Sequence, residues 1–195
     1  MPKKKRTNRK PDLPGEETLF DTDPEELWDA RGGILYDRLT PGVQKWMEII
    51  DSPKAPRLPL DVVVFLSGVK LDLQAGIGMC AQAPLRGRKL GIILLDDLDP
   101  ATVREVNGIM RRHVPKTFTP ALLKKLWDAY LMHTFLHELG HWKFIRKNGN
   151  RGSEARHEQA AERFAWRWME RIYYPKIVSG VMGLNWVVDY VMGED

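Results

Sequence analysis

The 195-residue chain predicts an α+β fold. A small three-stranded mixed sheet packs on a long helix, and a glutamate-bearing helix and a C-terminal helix follow. Three observations predict it. Between Leu58 and Asp97, β-branched runs and glycine-rich turns replace helical spacing. On both sides of that stretch, apolar residues recur at intervals of three and four. Asp-Pro and Thr-Pro pairs punctuate the chain as helix starts, because the Asp or Thr side chain can cap an orphan N–H and proline is pre-set for the first helical position.

In chain order, residues 1–20 are polar, basic and broken by Pro2, Pro11 and Pro14, which predicts a disordered tail; 21–195 then forms one domain. Asp23-Pro24 opens a short helix that ends at Gly32-Gly33. Thr40-Pro41 opens the next, whose Val43, Trp46, Met47 and Ile50 share a face. Val62 to Gly68 reads as a strand. Ala75 to Ala83 and Lys89 to Asp96 read as a hairpin around residues 84–88, and Gly76, Gly78 and Gln82 place its first strand at a sheet edge. Such an edge can accept an extended peptide by β-addition.

Asp99-Pro100 starts a helix to about Arg112, which Pro115 stops. Thr119-Pro120 starts a long one through Leu123, Leu126, Trp127, Tyr130 and Leu131 to Lys147, with Asn148-Gly149 as its stop. Ser153 caps the next helix, with Ala161, Phe164, Ala165, Trp168 and Ile172 as its apolar stripe. A last helix follows Pro175, apolar enough to serve as core or as a self-association surface.

Composition sets limits on the setting. A single cysteine, Cys80, favours a reducing intracellular (cytoplasmic) location and a role as a small core residue. No apolar run follows the basic N-terminus, and Ile177 to Met192 is interrupted by Asn185 and Asp189, so membrane insertion is not expected. Six of the first ten residues are Lys or Arg, and the remaining chain carries 24 basic against 26 acidic residues. Weak nucleic-acid contact is therefore expected of the tail alone, through phosphate charge. Pro2 to Arg6 also resembles a nuclear localisation signal, which would apply in a eukaryotic source.

The chemistry concentrates at His137-Glu-Leu-Gly-His141, an H-E-x-x-H pattern. Residues four apart on a helix share a face, so both imidazoles can reach one metal ion, and Glu138 can accept a proton from a water that the ion activates. Gly140 costs roughly 1 kcal/mol relative to alanine in mid-helix, which suggests a close backbone approach there.

A catalytic zinc takes three protein ligands. Phe144 and Lys147 occupy the positions that a metzincin would fill with Gly and His, so the third ligand must lie on the following helix. His141 is about 9 Å before the helix end at ~1.5 Å per residue, and Glu158 is about 7.5 Å beyond Ser153. Glu158 therefore faces the histidines if the helices run antiparallel. His157 is one residue away and is the competing ligand. His133 is too far along the helix to share the ion and is expected beside the ligands or in the core. Tyr130, Tyr173, Tyr174 and His113 are candidates to stabilise an oxyanion.

His137-Glu-Leu-Gly-His141 with Glu158, Ala161, Phe164 and Ala165 resembles the gluzincin branch of the HExxH zinc metallopeptidases, and most closely the ImmA/IrrE-type family; Glu162 stands where Asn is common. The resemblance covers roughly residues 119–168. It implies a zincin-like metallopeptidase domain with Zn2+ held by His137, His141 and Glu158, and with Glu138 as the catalytic base. The substrate would be an intracellular protein or peptide, with a regulator in view. Two alternatives stay open. A SprT-like protease would use His157 as third ligand and act on DNA-associated proteins. A non-catalytic zinc-containing module would keep the metal for structure and have no need of Glu138.

Overall fold

The structure is a computed structural model that describes residues 31–69, 77–85, 88–113, 119–149 and 151–192. The expected N-terminal tail and the helix after Asp23 lie outside these residues. Four strands, β1 (Gly33–Tyr36), β2 (Val62–Leu66), β3 (Gly78–Leu85) and β4 (Arg88–Leu95), form one sheet in the order β1-β2-β4-β3. β1 and β4 both run parallel to β2, and β3 is antiparallel to β4. The architecture is α+β, as expected, but the sheet has four strands instead of three. β1 escaped detection because it is only four residues long and begins at the second glycine of Gly32-Gly33, a pair that reads as a helix end.

β2 is buried along its whole length, as its unbroken Val-Val-Val-Phe-Leu run requires of a central strand. It ends at Leu66, before Gly68, because Asp37 accepts from the Gly68 N–H and the Ser67 hydroxyl and turns the chain away. β3 is an edge strand, as its glycines suggest, and among the described residues pairs only with β4. Residues 75 and 76, expected to begin it, lie outside the described set.

Five helices are described: α1 (Pro41–Ile50), α2 (Pro100–His113), α3 (Pro120–Asn148), α4 (Glu154–Ile172) and α5 (Pro175–Met192). The Thr-Pro starts behave as expected. Thr40 Oγ1 accepts from Val43 N at 3.0 Å and donates to Asp97 at 2.8 Å, and Thr119 Oγ1 accepts from Leu122 N. Ser153 occupies the cap position of α4 without a side-chain hydrogen bond there. α3 stops at Asn148 because Gly149 takes φ 64°, a left-handed conformation that suits glycine.

The core lies between the sheet and α3. Val62, Val64, Leu66, Ile93 and Leu95 from the strands meet Leu126, Phe135, Leu136, Leu139 and Trp142 from α3. Gly91 makes room for the Trp142 ring, which a Cβ there would meet at 2.5 Å. In α5, Ile177, Val178 and Val181 enter this core and Met182 is exposed; the side chains after Gly183, which a self-association surface would need, lie outside the described residues. No helix among the described residues is long and apolar enough to cross a membrane.

Candidate metal centre

α3 and α4 pack antiparallel across a short connection, and Gly140 sets how closely. A Cβ on Gly140 would stand 2.7 Å from Ala161 Cα and 2.8 Å from Ala161 O, so only glycine allows the two backbones this spacing. The mid-helix glycine thus has a packing reason. At that distance the histidines on α3 meet the carboxylates on α4.

His137 Nε2 lies 3.2 Å from one Glu158 oxygen, His141 Nε2 lies 3.3 Å from the other, and the two Nε2 atoms are 3.0 Å apart. Ligand atoms held tetrahedrally around one ion at ~2.0–2.2 Å stand about 3.3–3.6 Å from each other. These separations are close to that geometry, and His137, His141 and Glu158 form a group that could hold a metal ion. His157 does not join it. Its ring packs on Phe144 at 4.4 Å between centroids, because it is one residue, or 100° of helix, away from Glu158.

Glu162, one turn after Glu158, supplies what the ligand pattern alone did not reveal. Its Oε2 lies 2.9 Å from His137 Nδ1, its Oε1 accepts from Trp166 Nε1 at 2.6 Å, and His133 Nε2 is 3.5 Å away. With the Nδ1 proton donated to Glu162, His137 turns the lone pair of Nε2 toward Glu158 and the shared position. His133, expected beside the ligands or in the core, does both: it is buried and lies 4.2 Å from the Trp166 ring. The i, i+4 spacing of Glu162 from Glu158 puts it on the same face of α4 but does not name its partner.

In the metal-free site the electrostatics set the two histidines apart. Burial disfavours the charged form of His137, but the hydrogen bond to Glu162 and the charges of Glu138, Glu162 and Glu158 outweigh it and raise the pKa. His141 is pushed down, first by burial and then by the His137 charge, which favours the neutral imidazole that a metal needs. Burial also opposes ionisation of Glu162, yet its bonds and charge interactions with His133 and His137 hold the carboxyl well below the usual range.

Glu138 is 7 % exposed and faces the edge strand. Burial pushes its carboxyl up to about 7, the His137 charge works against this, Glu158 adds to it, and the Cys80 N–H stabilises the carboxylate. Gly78 lies beside it, where a Cβ would meet Glu138 Cγ at 3.1 Å. Cys80 is a partly buried residue packed on the core, as expected, but it also lines the cleft; burial and Glu138 raise its thiol to about 12, so it is an inert neutral group.

A cleft of about 1230 Å³ opens over these residues between β3 and α4. Of the four oxyanion candidates, Tyr130 lines this cleft. Tyr173 is half-buried, with its hydroxyl pushed up to about 12 by burial and Asp128, Tyr174 is 81 % exposed outside the cleft lining, and the side chain of His113 lies outside the described residues. Comparison of the chain with protein-family models, with curated proteins and with solved structures finds no match.

Proposed function

We propose that the protein is a zinc-dependent metallopeptidase of the zincin type, with His137, His141 and Glu158 as ligands, acting on a protein or peptide. One observation carries this reading. A His-His-Glu group converges on one point while a buried carboxylate, Glu138, sits in the same helical turn against an edge strand. A purely structural ion has no use for that carboxylate, so its presence favours catalysis over the structural-module alternative. The SprT-like alternative needs His157 as a ligand, and the placement of that ring on Phe144 disfavours it.

When bound, the ion supplies Lewis acidity, bringing the pKa of a water toward ~7 and polarising a carbonyl. Glu138 holds that water and takes its proton. The same carboxyl, set in the helical turn of the two histidines, can then pass that proton to the leaving amine. Glu162 fixes the ring of His137 throughout.

The edge strand supports a peptide as the substrate. Asp96 N donates to Ile77 O at the end of the β3–β4 pair, so the odd-numbered residues of β3 bond to β4, and the backbone groups of Gly78 and Cys80 point to the other side, which no described strand occupies. The Cys80 N–H on this side bonds the Glu138 carboxylate, which places the base beside the strand edge. Glu138→Gln tests the reading: it should keep the metal and lose cleavage of a casein or peptide-library substrate, and undiminished cleavage would remove Glu138 from the reaction.

A further inference from the structure

α4 divides its charges between two sides. Glu154, Glu158 and Glu162, spaced by four, line the cleft. Arg156, Arg163, Arg167 and Arg171 are all exposed at helical spacings that place them away from it, over about 22 Å at ~1.5 Å per residue. Lys143 and Lys147, exposed on the neighbouring turn of α3, extend the same surface. Lys143 Nζ lies 4.4 Å from the centroid of Phe164, and Arg171 Cζ lies 5.7 Å from that of Trp168. Both aromatic rings belong to α4 and fix the cations in place. Arg163 is held by Gln159 through two hydrogen bonds.

Six positive charges thus share one face with Glu170, which stands near Arg163 and Arg167 by helical spacing and offsets one of them. No ion pair within 4.0 Å joins the six to an acid among the described residues. Arg146, by contrast, is paired with Asp61 and is left out of the set.

We propose that this α3–α4 face, opposite the acidic wall of the cleft, binds the phosphate backbone of nucleic acid. A polyanion matches two rows of cations on α3 and α4 that no described acid pairs within 4.0 Å. An amphipathic membrane surface and the centre of a protein interface both need apolar area to bury, and the rings here are already covered by Lys143 and Arg171. With those rings occupied, bases have no stacking platform, so recognition runs through phosphates and is independent of sequence. The face is distinct in sequence from the basic tail and does not rest on the metallopeptidase reading.

The test uses the full chain and a fluorescein-labelled 20-base-pair duplex of arbitrary sequence, titrated between 50 and 200 mM salt. Two variants are compared with the parent: Lys147→Gln with Arg156→Gln, Arg167→Gln and Arg171→Gln, and a tail variant with Lys3, Lys4, Lys5, Arg6, Arg9 and Lys10 changed to Gln. The face variant should lose at least tenfold in affinity at 50 mM salt, and the slope of log K against log salt should fall by about 3 to 4, at ~0.9 per lost phosphate contact. Arg156→Glu with Arg167→Glu, two exposed sites outside the core, should weaken binding in the same direction with an unchanged melting temperature. Duplex affinity unaltered in both face variants and lost only in the tail variant would overturn the assignment. So would parent chain that binds phosphatidylserine vesicles through the face and leaves the duplex unbound.

Discussion

His137 Nδ1 lies 2.9 Å from a carboxylate oxygen of Glu162, so a residue on α4 decides which nitrogen of an α3 histidine is presented to the candidate metal position. Carboxylates that hold a ligand histidine in this way typically contribute 10- to 100-fold to metal affinity. Glu162→Gln is therefore expected to weaken zinc binding by about that factor in chelator competition while leaving the stoichiometry intact. Zinc affinity equal to that of the parent would show that the bond does not tune the ligand.

The same pair predicts how the metal-free protein responds to pH. Glu162 has a folded-state pKa below its unfolded value of ~4.3, so its stabilisation is present above that value and fades as pH falls through the folded one. His137 has a raised folded pKa, so its contribution is complete below ~6.5 and fades as pH rises through the folded value. The pair stabilises most between these limits. Denaturant midpoints of metal-free protein should decline on both sides of the window, and Glu162→Gln should flatten both limbs; parallel profiles for the two proteins would contradict the assignment.

Gly140→Ala tests the helix spacing. Alanine is the better helix former by roughly 1 kcal/mol, but its Cβ would press on Ala161 backbone atoms at 2.7 and 2.8 Å, which cannot move as the end of a flexible side chain can. Overpacking of this kind costs typically 1–3 kcal/mol. We expect a lower melting temperature together with weaker metal binding, because Glu158 lies one turn from Ala161. A rise in melting temperature would mean that the helices separate without cost.

How far these features were legible follows from geometry. Glu158 could be placed against His137 and His141 by counting rises along two antiparallel helices, since both distances start from one short connection. Glu162 could not, because that count follows Cα heights and ignores side-chain direction. Helical side chains lean toward the N-terminus of their own helix, so His137 leans toward the later residues of α4 and Glu162 leans back to meet it. Gly140 signalled a close approach but not the partner, Ala161, which is a tertiary fact. β1 was missed because three apolar residues after two glycines carry no period to read, and its strand character comes from pairing with Val63 to Leu66. The charge balance of the chain outside its tail, near neutral as a whole, concealed the segregation that α4 imposes by its period.

His157→Ala separates the two ligand sets that the chain allowed. Its ring contacts Phe144 and lies near Gly152, so its loss should cost packing at the end of the cleft and leave metal content unchanged.

The central claim is that Glu158 completes a metal site with His137 and His141, and metal content measured by plasma mass spectrometry tests it most directly. The account predicts one zinc per chain in the parent and in His157→Ala, and loss of that zinc in Glu158→Ala. Zinc retained in Glu158→Ala and lost in His157→Ala would contradict it.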